Sequence, residues 1–396
     1  MGVETRIKEL CAMQEPYVKE LRRYFHENPE TSLKEYGTHQ RIVQELDALG
    51  IPWKRVGECG IIGVLDSGKP GRTLVLRSDM DALPIVENPE NLAGSRVCIS
   101  KKEGAAHLCG HDGHMSMTLG AAKVLNAIKG DWRGRILLCF EQAEENGGGI
   151  DDMLKALEAY ELDGCWAIHL YAGLDSKKVS LQAGPRMSSV AGYDIRIVGR
   201  GGHGSRPDLC RNPAGCIVDI ISLVPGMMKA RLNPAYPVVF SIGEIHVGTK
   251  GNIIAEDGYF SGTLRYFDYE AGVKAMEILC SVSEEIARLH GCSVDYMRKI
   301  ITDNAVINDE KLSNMAELCV RRDMEDLEVV RTEPWYATES FGRYQHRCPG
   351  VLALLGIRNP EVGSGEEHHN PRFDIDEAVL VPGVEMTVRF AAEFLQ

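Results

Sequence analysis

The hydrophobic rhythm of this chain changes twice, and that double change limits it to one domain interrupted by another. Up to about residue 186, short apolar or β-branched runs (IIGVLDS, RTLVLRSDM, RGRILLCFEQAEE, CWAIHLYA) alternate with longer stretches of near 3.6-residue period, among them HMSMTLGAAKVLNAI and DDMLKALEAYEL. Strands alternating with helices predict an α/β layered domain with a mostly parallel central sheet. From 187 to 301 the apolar alternation becomes stricter, in AGYDIRIVGRGG, PVVFSIGEIHVG and NIIAEDGYFSGTLRYFD, as in strands with one wet face. Two helical stretches lie among them, so the order strand, helix, two strands, helix, strand reads as a compact α+β module. From 302 the α/β style resumes. The expectation is an outer domain of residues 1–186 and 302–396 around an inserted domain of 187–301, a division that suits a chain of 396 residues.

Charge narrows the partners. Lys and Arg total 44 against 57 Asp and Glu, a formal net charge of −13, and no basic run exceeds two residues. Nucleic-acid binding depends on basic patches that neutralise phosphate, so a nucleic-acid partner is not expected. No apolar stretch approaches the roughly 18 residues that span a bilayer, and the opening MGVETRIKELCAMQ is charged where a signal peptide is apolar, so no membrane partner is expected and the chain reads as cytoplasmic. The 12 cysteines are scattered singly with no CxxC pair, which reads as reduced, mostly buried thiols.

Four clusters carry chemistry. AAHLCGHDGHMS crowds Cys109, His111, Asp112 and His114 around two glycines. A thiolate and an imidazole two residues apart suit Zn2+, Mn2+, Ni2+ or Co2+; a helix entry capped by Asp112 with exposed histidines is the alternative. Glu144 and Glu145 adjoin at the end of a strand, where one could bind metal while its neighbour acts as base, or both could be a solvated acidic loop. His169 sits in the apolar run CWAIHLYA, where a core histidine is the ordinary finding. His368 and His369 precede NPRFDIDE, where an exposed pair is the bland reading. All four clusters fall outside 187–301, as a shared site on one scaffold requires.

Together with LRSDMDALPIVE, GRGGHGSRP, GTKGNIIAE and GTLRYFD, these motifs run in an order and spacing that resemble the amidohydrolase branch of the co-catalytic-metal peptidase family, the group of hippurate hydrolase, indoleacetyl-amino-acid hydrolases and N-acyl-amino-acid deacylases. The resemblance covers nearly the whole chain. It implies a metallopeptidase-like catalytic domain interrupted by a smaller α+β sandwich that serves as lid and dimerisation domain. It implies two divalent metal ions (Mn2+, Zn2+, Ni2+ or Co2+) held by Cys109, His111, Glu145, His169 and His369. His369 is preferred to His368 because the family's ligand precedes one small residue, then Pro, any residue and Phe. Glu144 matches the general base, and Asp81 the carboxylate that orients a group at the metal site. In the inserted domain, His203 matches the donor to the oxyanion, and Asn252 and Arg265 match residues that grip substrate.

The implied activity is hydrolysis of N-acyl amino acids to a carboxylic acid and an amino acid, by a homodimer joined through the lid. A dipeptidase or carboxypeptidase acting on aminoacyl amides is the alternative within the same chemistry, and a non-catalytic binding protein on the same fold the alternative outside it. Several positions depart from the family pattern. Glu141 and Gln142 stand where Gln-Pro is usual, Asp208 where His is frequent, Asn212 where Asp precedes Pro, and Ser340 where Asp precedes Phe. A carboxylate at 141 or 208 would favour an unusual acyl or amino-acid group, or supply the acidic pocket that a free amino terminus needs.

Overall fold

The computed structural model describes residues 3–396. It divides into two compact units. The first takes in the chain up to Gly184, Ile307–Glu333 and Arg343–Gln396; the second takes in Pro185–Val306 and Pro334–Gly342. The segment 334–342, which the sequence leaves in the outer domain, therefore belongs with the inserted one. Backbone hydrogen bonds explain why: Trp335 N donates to Arg186 O at 2.8 Å and Ser188 N to Ala337 O at 2.9 Å.

The first unit is built on an eight-stranded sheet. Its strands are β1 (Trp53–Val56), β2 (Gly60–Asp66), β3 (Thr73–Asp79), β4 (Arg135–Glu141), β5 (Gly164–Asp175), β6 (Lys178–Ser180), β7 (Glu328–Val329) and β8 (Gly350–Arg358), in the order β1-β2-β4-β3-β5-β8-β6-β7. The central four, β4, β3, β5 and β8, are mutually parallel. They are buried along almost their whole length, and near-continuous apolar runs such as ILLCF and VLALLG are what a sheet covered on both faces demands.

The helices are α1 (Val3–Ala12), α2 (Glu15–Glu27), α3 (Tyr36–Ala48), α4 (His111–Ala127), α5 (Ile150–Leu157), α6 (Glu310–Asp323) and α7 (Leu380–Phe394). Trp166 of β5 stacks on Phe390 of α7 at 4.3 Å between ring centres, and its indole N–H donates to Thr387 Oγ1 at 3.1 Å. Such a pair unites a large apolar contact with a satisfied polar tip.

A buried ion cluster fixes α2 against α4. Arg22 of α2 reaches Asp112 at 3.1 Å, Asp374 at 2.9 Å and Glu377 at 3.4 Å, while His26, one turn on, lies 2.8 Å from both Asp112 and Glu87. Asp112 is thus anchored inside the first turn of α4 rather than exposed at its start.

The second unit is an α+β sandwich. Four antiparallel strands lie in the order Val238–Val247, Asp257–Tyr266, Ser189–Val198, Ser293–Ile301, and the helices Pro213–Arg231 and Tyr269–His290 pack on them. Tyr193, Ile195, Phe260 and Leu264 meet Ile217, Ile220, Ile278 and Leu279 in its core. The sheet also carries exposed ion pairs, Arg196 with Asp257 and Arg298 with Asp194. The helix Pro213–Arg231 corrects one expectation, since by length and composition it is long and apolar enough to cross a membrane. Its Cys216, Ile217, Ile220, Val224 and Met228 are nonetheless buried in this core.

Removing one partner of a buried charge cluster strands the others, at a cost of about 3–5 kcal/mol. Arg22→Met should therefore lower unfolding stability by about that amount in urea titrations. A loss under about 1 kcal/mol would mean that the cluster does not hold α2 and α4 together.

Candidate metal centre

The winding of the parallel strands fixes where a site can form. From β3 the chain passes through α4 to β4 on one side, then through α5 to β5 on the other, so β3 lies between strands reached in opposite directions. In open α/β sheets, ligands bind at the carboxyl ends of the strands at such a reversal. Asp79 and Asp81 end β3 or follow it, Cys109 and His111 lie where the chain enters α4, Glu144 and Glu145 form a single 3-10 turn after β4, His169 is on β5, and His369 follows β8.

β5 then sets the chemistry. β3 pairs with it only as far as Arg77 opposite Ala167, whereas β8 on its other edge follows it to Asp175. Beyond Ala167, the edge that faced β3 has no strand to bond. Histidines take up its backbone groups instead. Leu170 N donates to His114 Nε2 at 2.9 Å, His169 Nδ1 donates to Leu170 O at 2.7 Å, and Ala172 N donates to His368 Nε2 at 3.1 Å.

These bonds assign the ring protons, because a neutral imidazole has one donor and one acceptor. His114 and His368 each commit the Nε2 lone pair to a backbone N–H, so neither offers it to a metal. His114 turns its Nδ1–H to Asp79 at 2.7 Å. His169 and His111 do the reverse, with His111 Nδ1 donating to Asp81 O at 2.8 Å. Both present Nε2 towards the site, that of His169 lying 3.9 Å from Cys109 Sγ. The CGHDGH motif thus contains one histidine of each kind.

Asp81 also shapes the other wall. Its two carboxylate oxygens accept the backbone N–H groups of Glu144 and Glu145, both at 3.1 Å, and one of them accepts the Ser32 hydroxyl at 2.6 Å. The chain enters this turn through Ala143, held at φ 53°, in the left-handed region that non-glycine residues seldom occupy. Glu35 steadies it by accepting the Ala143 N–H at 2.7 Å. Nothing in the segment SLKEYG marks Glu35 as part of a site; only the fold brings it there. Close packing completes the arrangement. A Cβ on Gly113 would lie 2.5 Å from Leu170 Cδ1, so that glycine lets α4 approach β5.

Besides the group of Asp79, His111 and His114, in which His114 has no free lone pair, two triads of donors share Cys109. Cys109, His111 and His169 form one, and Cys109, Glu145 and His369 the other, with the donor atoms of each within 4.8 Å of one another. Glu144 joins His111 and Glu145 in a further group at the same spacing. The residues fit divalent cations. His111 Nε2 and Glu145 Oε1 are buried and have no hydrogen-bond partner, an arrangement that costs about 1–3 kcal/mol per group unless something ligates them. Burial, reinforced by Glu145, pushes the Cys109 thiol well above its usual pKa. Burial opposes charge on His111, yet Asp79 and Asp81 outweigh it and raise its pKa well above the ordinary value. The cluster thus calls for positive charge, which bound cations supply. His111, His114 and His169 are buried, and of the 368–369 pair only His369 is exposed.

The remaining candidates belong to the second unit. His203 and Asn252 adjoin, since Gly202–His203 pairs with Ile253–Ile254 and Gly204 N donates to Asn252 O at 2.9 Å. His203 is exposed and its Nδ1 accepts from the Ser205 hydroxyl at 2.8 Å and from Ser205 N at 3.2 Å, which leaves the proton on Nε2. Arg265 is half-buried, bonds Thr338 Oγ1 at 2.6 Å, and has no carboxylate partner among the described residues.

The departures from the family pattern find structural roles. Glu141 is fully buried, bound to Arg77 Nε at 3.0 Å and the Tyr344 hydroxyl at 2.9 Å, so it neither faces a substrate nor lines an acidic pocket. Arg77 also bonds Asp79 at 2.8 Å. Gln142 accepts from the backbone of Gly60 at 3.1 Å, Asn212 caps the helix Pro213–Arg231, and Asp208 is an exposed partner of Arg206. Ser340 is buried beside Glu339.

Residues 75–393 match the model of peptidase family M20/M25/M40. Thermostable carboxypeptidase 2 of Saccharolobus solfataricus is 34% identical, with 100% of this chain and 99% of the relative aligned. N-acetylcysteine deacetylase of Bacillus subtilis is 30% identical over 95% of this chain and 96% of its own length. Among solved structures, a dinuclear metal binding peptidase of the M20 family from Bacillus subtilis superposes with a TM-score of 0.82 at 27% identity, covering 97% of this chain and 99% of that one.

Burial pushes the Glu35 carboxyl up to about 7. A folded-state pKa above the unfolded value means that stability is fully present below about pH 4.5, is lost as pH rises towards 7, and is level above that. Glu35→Gln keeps an acceptor for Ala143 N and removes the titration. It should flatten this part of the decline, worth up to about 3 kcal/mol, when urea unfolding is compared at acid and alkaline pH. An unchanged slope would mean that burial does not raise the pKa of Glu35 above its unfolded value.

Proposed function

Because the chain belongs to peptidase family M20/M25/M40 and is a metal-dependent hydrolase of that kind, we propose that it cleaves the amide bond of N-acyl amino acids at two divalent metal ions. The observation that carries this reading is the pair of donor triads sharing Cys109, with Glu144 beside them. Cys109, His111 and His169 would hold one ion and Cys109, Glu145 and His369 the other, with Cys109 in both donor sets. Such ions, when bound, act as Lewis acids on the scissile carbonyl and make a water acidic enough to attack at neutral pH.

The protein's own groups do the rest. Glu144, its backbone held by Asp81, takes the proton of the attacking water and returns it to the leaving nitrogen. His203, whose proton is left on Nε2, serves as a donor to the developing oxyanion. Arg265, lacking a carboxylate of its own, suits the free carboxylate of the amino-acid half through its planar fork, and Asn252 contributes beside His203. We further assign the inserted unit the roles of lid and homodimer contact, and the protein to the cytoplasm. Its 12 unbridged cysteines agree with a reducing compartment.

Carboxypeptidase action is the second reading, favoured by the 34% identical carboxypeptidase relative. The two differ only in the acyl half, since both leave an amino acid with a free carboxylate. A panel of N-acyl amino acids, N-blocked dipeptides and free dipeptides separates them.

Glu144→Gln should reduce kcat by at least 100-fold, within the usual range of about 10²–10⁴ for a general base, while metal content by elemental analysis stays at two. Metal loss with that variant would interchange the roles of Glu144 and Glu145. His203→Ala should cost about 10²–10³ in kcat with metal retained, and an unaffected rate would remove it from the mechanism. Arg265→Ala should raise KM for substrates with a free carboxylate and leave amidated analogues alone; equal effects on both would exclude the clamp.

A further inference from the structure

The segment 31–35 closes on the turn that carries Glu144 and Glu145, and three of its residues hold different parts of it. The Ser32 hydroxyl donates to Asp81 Oδ2 at 2.6 Å, and Asp81 in turn accepts the Glu144 and Glu145 N–H groups. The Glu35 carboxyl accepts the Ala143 N–H at 2.7 Å and also faces the Leu33 N–H. Between them, Leu33 lies on the turn itself, since a Cβ on Gly148 would come 3.5 Å from Leu33 Cδ1. Gly148 closes that turn, its N–H donating to Ala143 O at 3.0 Å.

Leucine is an awkward residue for this place. Lys34 N donates to Thr31 O at 2.9 Å, which makes a four-residue turn with Leu33 third, at φ 63°. A turn with positive φ at that position ordinarily has glycine there, and a bulky side chain in the left-handed region is strained. Core packing does not account for it, because Leu33 is 41% exposed. An uncovered apolar side chain, kept on strained backbone beside a catalytic turn, points to function rather than to folding.

We propose that Leu33 is a specificity-determining residue: its exposed side chain meets the acyl half of the substrate and favours a long apolar chain over a short or charged one. The proposal rests on the metal-hydrolase reading above and deepens it. In that reading Arg265 and Asn252 take the amino-acid half, which leaves the acyl half to the residues about Glu144. An apolar contact discriminates by hydrophobic transfer, so one added methylene is worth only about 10–200-fold. An aminoacyl group is disfavoured there, because its ammonium would lose water without gaining a partner.

The test uses the full-length, metal-loaded protein with the N-acetyl, N-butanoyl, N-hexanoyl and glycyl derivatives of one amino acid. In wild type kcat/KM should be highest for the hexanoyl compound and lowest for the glycyl one. Leu33→Gly suits the backbone and removes the side chain, and it should lower the hexanoyl-to-acetyl ratio about 10-fold. Leu33→Asn, a residue that tolerates left-handed backbone, should do the same, while Leu33→Met should retain most of the wild-type ratio. The same order should appear without turnover, in dissociation constants measured by calorimetry in the Glu144→Gln background. Because glycine relieves the turn, Leu33→Gly should melt no lower than Leu33→Ala, so misfolding does not decide the result.

A fall shared equally by all four compounds would make Leu33 a mere support of the turn and overturn the proposal. So would an unchanged ratio, a ratio that rises in Leu33→Gly, or a wild type that cleaves the glycyl compound best. A wild type that cleaves none of the N-acyl compounds would instead overturn the reading of the substrate as an N-acyl amino acid, and this inference with it.

Discussion

The arrangement of the centre depends on an edge of backbone that no strand covers. β5 outruns β3 by several residues, and a strand edge with unpaired N–H and C=O groups must find partners elsewhere or lose about 1–3 kcal/mol for each buried group. Three histidines from three segments supply them: His114 from α4, His169 from β5 itself, and His368 from the loop after β8. In satisfying the backbone they settle which ring nitrogen carries a proton. The sheet therefore decides which imidazoles offer a lone pair to the site and which offer an N–H, and a difference of strand length becomes a difference in chemistry.

A second constraint comes from charge. Asp79, Asp81, Glu144, Glu145 and Cys109 are gathered at one end of the sheet, and burial disfavours the ionised forms of Asp79, Asp81 and Cys109. Each buried member is restrained by a partner. Asp79 has Arg77 and His114 and is held well below the usual carboxylate pKa; Asp81 has two backbone N–H groups and Ser32; Glu141 has Arg77 and Tyr344. The exceptions are His111 Nε2 and Glu145 Oε1, which face each other at 3.8 Å without a hydrogen bond. Two unsatisfied donors facing each other within the site are what a cation-binding centre requires, because a donor already occupied within the protein is not available to a metal.

The carboxylate of Asp81 illustrates how one side chain serves several groups. Its oxygens fix the backbone of Glu144 and Glu145, and its own carbonyl fixes the tautomer of His111. Base, ligand and neighbouring ligand are thereby referred to a single residue at the end of β3. The strained turn at Ala143 is held in place by Asp81 on one side and Glu35 on the other, with burial pushing the Glu35 carboxyl up to about 7.

By itself, the sequence determined the class of fold, because runs of buried strands and amphipathic helices differ in period, and the change to strict alternation after residue 187 marks a sheet with one wet face. It also determined the chemical types at the centre, since thiol, imidazole and paired carboxylates with glycines between them retain their chemistry in any fold. Tertiary structure alone decided the rest. CGHDGH contains two histidines and HHNPRF two more; family resemblance singles out His111 and His369, but the physical reason that His114 and His368 commit their Nε2 lone pairs is not local, because it is set by Leu170 and Ala172 on a distant strand. Glu141 looked like a substrate-side charge until Arg77 and Tyr344 enclosed it, and residues 334–342 joined the inserted unit through backbone bonds to 186 and 188. In each case the deciding partner lies far along the chain, and hydrogen bonds between remote segments leave no periodicity in the sequence to read.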